Sequence, residues 1–312
     1  MTKKFTSRYI LGFVLLLAAV LFLLNASKPG SHPVACPSAC ATEKLSTANK
    51  PLRILSLNMF HGHPDFTQFE QRTALLSQEI GRLAPDIVLL QEVPWVSNQN
   101  PVAQQFAEQN GFNYVYLRAN GNHQLIGFEE GVAIFSQYPL KQISYTELQP
   151  VAGLFENRVV LHATVETPHG DIDLFVTHLT SSKASVNAVQ VESLLAFVQT
   201  EATHPAIIAG DFNAVESSPQ MIRLAEIWHD SYRLVYPHEP GPTCCISDLV
   251  NAPTTELQER IDYLFLAPTS ENVVNVVTVE RIFTEPVTAV NGRLWLSDHA
   301  GLLATIQFEP TK

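Results

Sequence analysis

The chain is short of positive charge where a polyanion would need it. Beyond residue 50 lie 13 of its 19 lysines and arginines but 29 of its 30 acidic residues, a net charge of −16. A surface of that sign repels extended DNA or RNA at long range, and no Lys/Arg-rich loop or basic stripe with interleaved aromatics offsets it. Cysteine is scarce as well. Cys36, Cys40, Cys244 and Cys245 include no Cys-x-x-Cys pair with histidines at ligand spacing, which argues against a structural zinc site. Four cysteines allow three disulfide pairings, and spacing does not choose among them. Neither an internal repeat nor a low-complexity tract breaks the chain into an array or a disordered protein.

What is present begins with an apolar segment. Lys3, Lys4 and Arg8 precede an uncharged run, Tyr9 to Ser27, whose apolar part is Ile10 to Leu24. A basic start followed by about fifteen apolar residues is the pattern of a secretory signal or a short membrane anchor. An amphipathic core helix would interrupt such a run with polar residues. Leu24-Asn25-Ala26 is a poor small-x-small cleavage site, so a removed signal and a retained anchor both stay open. The positive flank predicts that everything after it is exported, either tethered by this segment or secreted. Residues 28–50, with Pro, Ser, Ala, Thr and Lys and little apolar periodicity, read as a flexible tether. Residues 51–312 read as one catalytic domain, expected to be a monomer.

From residue 51 strand and helix periods alternate. Strands are expected at Leu52–Asn58, Asp86–Gln91, Asn113–Leu117, Gly131–Phe135, Val159–Val165, Asp171–Thr177, Ala206–Ala209, Ile261–Leu266, Val273–Val279 and Leu302–Phe308. Leu76, Ile80 and Leu83 have helical spacing that Ala84-Pro85 ends, a polar helix is expected around Pro101–Gln109, and Val191, Leu194, Leu195 and Val198 mark another. Groups suited to metal or proton-transfer chemistry gather where apolar strands stop: Asn58 after RILSL, Glu92 after IVLLQ, His178 after DLFVT, Asp211 and Asn213 after AIIAG. Asp262 lies in ERIDYLFL, and Asp298-His299 precede AGLLATI. One Asp or Asn after a strand is usually a turn or cap residue. Seven such positions in one chain make that reading untenable.

LSLNMF, LLQEV, FVTHL, AGDFNA, ERIDYLFL and LSDHAG, in this order from about residue 53 to 308, resemble the signature of the endonuclease/exonuclease/phosphatase superfamily. That family includes pancreatic-type deoxyribonuclease, abasic-site endonucleases, inositol polyphosphate phosphatases and neutral sphingomyelinases. The resemblance implies an α+β fold, a four-layer α/β/β/α sandwich of two mixed β-sheets flanked by helices (deoxyribonuclease I-like). It also implies Mg2+ as cofactor, with Mn2+ or Ca2+ left open, held by Glu92, Asn58 and Asp298. Mapped motif by motif, His299 would contact the phosphate or share in activating water, oriented by Asp262. Asp211 and Asn213 would position the attacking water and a phosphate oxygen, and His178 would bind the phosphate or help protonate the leaving group. The base role stays divided between Asp211 and His299. Arg158, just before a strand, is a candidate phosphate-binding guanidinium whose alternative is a surface salt bridge. Glu129 and Glu130 read as a solvated loop edge.

THLTSS with its following helix, TCCISDLVNAPTTELQERIDYLFL and LWLSDHAG resemble the bacterial branch near the sphingomyelinases, which implies a phosphodiesterase acting on a phospholipid head group or a small phosphodiester. The N-terminal segment fits that branch, and the acidic domain disfavours a dedicated nuclease. An exported Mg2+-dependent endonuclease is the alternative. A catalytically silent binding or toxin-like module is a third reading, which intact motifs disfavour.

Overall fold

Each run of alternating apolar residues becomes a strand, and the computed structural model, which describes residues 2–36, 50–267, 272–290 and 292–310, layers these strands into two large sheets. The first has the order β1 (Val34–Ala35), β4 (Asn113–Gly121), β5 (Phe128–Ser136), β3 (Ile87–Val96), β2 (Leu52–Asn58), β15 (Gly301–Pro310) and β12 (Asn272–Ile282). The second runs β10 (His229–Asp230), β11 (Asp262–Ala267), β9 (Ala206–Asp211), β8 (Gly170–His178), β7 (Val159–Thr167) and β6 (Leu140–Glu147). A separate hairpin joins β13 (Val287–Ala289) to β14 (Gly292–Leu294).

Alternation along each strand feeds two cores at once. In β2, Ile54 faces the layer between the sheets, where it meets Leu89, Leu174, Val176, Ile207 and Leu264, while Leu55 and Leu57 face outward. The outward face of the first sheet is covered by α2 (Phe69–Leu83) and α3 (Val102–Asn110), through Leu76, Ile80 and Phe106. The second sheet is covered by α5 (Ala184–Glu201) and α6 (Pro219–Ile227), through Val191, Leu194, Val198 and Leu224. Strands buried on both faces explain the nearly continuous apolar runs at IVLL and AIIA. The result is the expected sandwich of two mixed sheets flanked by helices.

Each large sheet contains one parallel pair, β2 with β3 and β8 with β9; their remaining pairings are antiparallel. A parallel pair needs a crossover, supplied here by α2 and by α5. Both strands of such a pair therefore end on the same side, and all four C-termini meet at one end of the sandwich. Gly210 permits the second pair: a Cβ built on it would lie 1.9 Å from the Thr177 carbonyl oxygen.

Several elements exceed the sequence expectation. β3 and β4 run on to Val96 and Gly121, and β6, α6, α4 (His123–Ile126) and α7 (Ser231–Val235) were not anticipated. Glu129 and Glu130 form no solvated edge. Both are buried on β5 because partners receive them: His123, Arg118 and Tyr116 around Glu129, and Asn120 against Glu130.

The N-terminal run forms α1 (Thr2–Ser27), whose segment Tyr9–Ser27 is long and apolar enough to cross a membrane. After it, the Gly30 N–H donates to the Arg118 carbonyl at 2.8 Å and β1 pairs with β4. Residues 37–49 of the expected tether lie outside the described residues.

Candidate active site

The four parallel strand ends deliver Asn58, Glu92, His178 and Asp211 to one place. Asn58 and Gln91 are register partners, as are His178 and Asp211. Glu92 comes immediately after, where β3 slips register against β5 between Leu90 and Val93 and the Glu92 backbone turns left-handed, at φ 54°. A bulge of this kind re-aims one side chain, and here it turns a carboxylate toward Asn58. The Asn58 amide donates to Glu92 Oε1 at 3.2 Å and to Asp211 Oδ2 at 3.1 Å, so one side chain links the two sheets.

Asp262 starts β11 opposite Asp211, and the Asp298-His299 loop precedes β15. His299 Nδ1 lies 2.9 Å from Asp262 Oδ2, and its Nε2 faces Asp211 Oδ2 at 3.8 Å and Asp298 Oδ1 at 4.0 Å. His178 Nε2 approaches the same Asp211 oxygen at 3.5 Å. The Asn213 N–H donates to Asp211 Oδ1 at 2.9 Å, while its side-chain amide donates to the Leu179 carbonyl. All seven strand-end positions singled out in the sequence, Asp298-His299 taken as one, converge. Arg158 is buried rather than at the surface, 3.8 Å from Glu156, and its charge bears on His178.

Burial sets the protonation pattern. It pushes Asp211 up to about 7, with the charge of Asp262 adding to the effect. Asp298 rises to about 6, again by burial first. Burial alone would lower His299, but the carboxylates of Asp262 and Asp211 hold it well above its ordinary value. For His178, burial first and then the charges of Arg158, His299 and His61 hold it well below. Among the described residues, the buried polar atoms without a hydrogen-bond partner include Asp262 Oδ1, His178 Nδ1 and Arg158 Nε.

These features fit a hard divalent cation. Glu92, Asp211, Asp262 and Asp298 crowd together at the cost of two raised carboxyls, and one buried carboxylate oxygen is unused. Oxygen donors at close quarters are what magnesium or calcium requires. Ligand atoms of Asp211, Asp262 and His299 also lie within 4.8 Å of one another, a grouping distinct from the Asn58, Glu92 and Asp298 set that the resemblance implies.

Three contributors escaped the sequence reading. Arg72 of α2 is 2% exposed and donates to the carbonyls of Met59 at 3.2 Å, Phe60 at 2.8 Å and Leu296 at 2.9 Å. It thereby clamps the loop after Asn58 to the loop before Asp298. The signal was available: Phe69, Arg72, Leu76 and Ile80 share one helix face, so the arginine lies on the buried stripe. The Ser297 hydroxyl donates to the Asn58 carbonyl at 2.6 Å and accepts the His299 N–H at 3.1 Å. His61 caps the Glu92 side, its N–H 3.2 Å from Glu92 Oε2 and its Nε2 3.4 Å from the same oxygen. Cys244 and Cys245 lie side by side next to His299; Cys36 has no disulfide partner among the described residues, and Cys40 lies outside them.

Comparison with known proteins agrees with this geometry. The model of the endonuclease/exonuclease/phosphatase family matches residues 55–299, a span reaching from the Asn58 strand to His299. The chain belongs to that family. It is similar to Protein angel of Drosophila melanogaster, 29% identical in an alignment of 204 positions that covers 59% of this chain and 56% of angel. The chain thus spans just over half the length of that curated relative. Its fold is similar to the human Nocturnin catalytic domain with bound sulfate anion, at TM-score 0.64 and 20% identity, covering 83% of this chain and 94% of that one. It is also similar to a mannosyl-6-phosphatase from Bacteroides thetaiotaomicron, at TM-score 0.63 and 14% identity, covering 82% and 99%. In an endonuclease/exonuclease/phosphatase family chain, such low identities speak for the fold alone.

Proposed function

We propose that this chain hydrolyses phosphodiesters, with a phospholipid head group as its substrate and Mg2+ as its cofactor. The observation that carries the hydrolase reading is the meeting of Asn58, Glu92, His178, Asp211, Asp262, Asp298 and His299 at one end of the sandwich. The lipid substrate is supported by the net charge of −16 beyond residue 50, which disfavours nucleic acid, and by the apolar helix α1.

Asn58, Glu92 and Asp298 would hold the cation. When bound, it would act as a Lewis acid, neutralising phosphoryl oxygens and easing departure of the leaving oxygen. The remaining residues position groups and move protons. Asp211 has Oδ1 fixed by Asn213 and Oδ2 facing both imidazoles, so Oδ2 accepts a proton from the attacking water. His299, its Nδ1 proton directed to Asp262, presents Nε2 to the phosphoryl oxygens. His178, neutral because its pKa is held down, offers Nε2 from the other side to hydrogen-bond a phosphate oxygen, with Arg158 adding positive charge nearby.

The test is to assay the full chain, in detergent micelles, against sphingomyelin and phosphatidylcholine vesicles, supercoiled plasmid and a chromogenic phosphodiester, with Mg2+ and with EDTA. Head-group release that EDTA and His299→Ala abolish supports the proposal. Plasmid nicking without lipid turnover transfers it to an endonuclease. Silence on all substrates overturns the lipid assignment and moves the weight to an untested small phosphate ester or to a binding module.

A further inference from the structure

α1 leaves no spacer between its apolar run and the folded domain. Tyr9–Ser27 is 19 residues, about 28 Å of helix against a bilayer hydrocarbon core of about 30 Å. Most of that run is exposed, but Ala26 and Ser27 are buried against the domain, and the Ser27 carbonyl accepts a hydrogen bond from the Asn157 side chain. α1 also touches β4 and α4.

This attachment lies at the end of the sandwich that carries the site. Asn157 immediately precedes Arg158, and its N–H donates to Asn120 Oδ1 at 2.7 Å. Asn120 in turn donates to Glu130 at 2.5 Å, on the strand beside Glu92. Two connections near α1 carry exposed apolar side chains. Leu125 and Ile126 lie on α4, which α1 contacts, and Val151, Leu154 and Phe155 lie in the β6–β7 connection that also carries Asn157. Leu154 and Phe155 are 51% and 46% exposed. Single exposed apolar residues are ordinary on a protein surface. These five flank the exit of a helix long enough to span a bilayer, which is where the interface would lie.

We propose that this end of the domain docks on the bilayer that α1 crosses, with Leu125, Ile126, Val151, Leu154 and Phe155 entering the head-group layer. The active site then faces lipid phosphoesters in the plane of the same membrane; that substrate assignment rests on the reading given under Proposed function, while the docking does not. Because the domain is strongly acidic, apolar insertion rather than attraction to anionic lipid supplies the contact, and a zwitterionic bilayer suffices.

The experiment reconstitutes the full chain in phosphatidylcholine vesicles. Tryptophan is introduced as Phe155→Trp, or as Glu166→Trp at the opposite end of the sandwich, and the emission each adds to the parent chain is tested for quenching by brominated phosphatidylcholine. The expected result is a blue-shifted, quenched emission for Phe155→Trp and neither change for Glu166→Trp. Equal behaviour of the two variants overturns the docking. A second variant, Leu154→Asp combined with Phe155→Asp, should lower vesicle-lipid turnover about tenfold with hydrolysis of a soluble chromogenic phosphodiester unchanged; an equal loss on both substrates overturns it too. Quenching without lipid turnover by the parent chain supports the docking and retires the lipid substrate. Lipid turnover without quenching does the reverse.

Discussion

His299 and Asp262, 37 residues apart in sequence, form a buried hydrogen bond of 2.9 Å between Nδ1 and Oδ2. The bond orients the ring, and the Asp262 carboxylate, with Asp211, raises His299 against the opposite pull of burial. If the imidazolium is the working form, activity is retained below the His299 pKa and lost as pH rises through it. Asp262→Asn should move that alkaline limb to lower pH and reduce kcat by about 10² to 10⁴. A pH profile of kcat on the chromogenic ester checks both effects; an unmoved limb would assign it to another group.

Arg72 clamps two loops through carbonyls alone. Burial lowers its pKa to about 10, with the charges of Asp298 and Glu92 opposing that shift. Replacing it with methionine keeps much of the packing but leaves the Met59, Phe60 and Leu296 carbonyls without their donors, a loss of about 3 kcal/mol of stability. The Asn58 and Asp298 loops also lose their common anchor. Arg72→Met should therefore raise the Mg2+ concentration giving half-maximal activity, and Arg72→Lys should restore part of the deficit. Urea denaturation and a metal titration read the two effects separately.

Asp173 is buried at the far end from the site. Burial alone would raise its carboxyl, but hydrogen bonds from His162, Thr164 and the Thr203 and His204 amides hold it well below the ordinary range. A depressed carboxyl contributes stability above its unfolded pKa, about 3.9, and loses that contribution as pH falls from there toward the folded value. Asp173→Asn should be destabilised at pH 7 and less so, relative to the parent, below about pH 4. Denaturation midpoints measured from pH 3 to pH 7 would show the gap narrowing; a constant gap would place the effect in packing.

Gly210 precedes Asp211 at φ 157°, against the Thr177 carbonyl. A methyl group there must push β8 from β9, at a cost of about 3 kcal/mol, and would displace Asp211 from His178. Gly210→Ala should melt lower and lose activity, as calorimetry and the ester assay would show. An alanine variant with parental stability would mean that the strands can part without cost.

Metal removal supplies a further check. Asp211 and Asp298 are raised by burial, and Asp298 also by the neighbouring charge of Glu92. A bound cation would relieve that crowding, so Mg2+ should raise the melting temperature and EDTA should reverse the rise. No change in either direction would argue against a cation at this end of the sandwich.

Much of this architecture was legible before any coordinates. Strand alternation, the Ala84-Pro85 stop and the polar residues after apolar runs are local signals, because side-chain direction repeats every two residues in a strand and every 3.6 in a helix. Asn58, Glu92, His178, Asp211, Asp262 and Asp298-His299 could be named from their places at strand boundaries and from their motifs. Arg72 was written in the same local code, as a charge on the apolar stripe of α2, but what it holds could not be read there. Its partner Leu296 is 224 residues away.

The amino-acid sequence by itself determined which segments become strands and helices, and which chemical groups stand at their ends. Tertiary structure alone decided that Glu129 and Glu130 are buried and that Asn58 bridges Glu92 to Asp211, an aspartate 153 residues beyond Asn58 itself. The physical reason is the range of the forces involved. Side-chain periodicity acts over a few residues, whereas the site exists only once two parallel crossovers and the packing of one sheet on the other bring distant strand ends to the same edge.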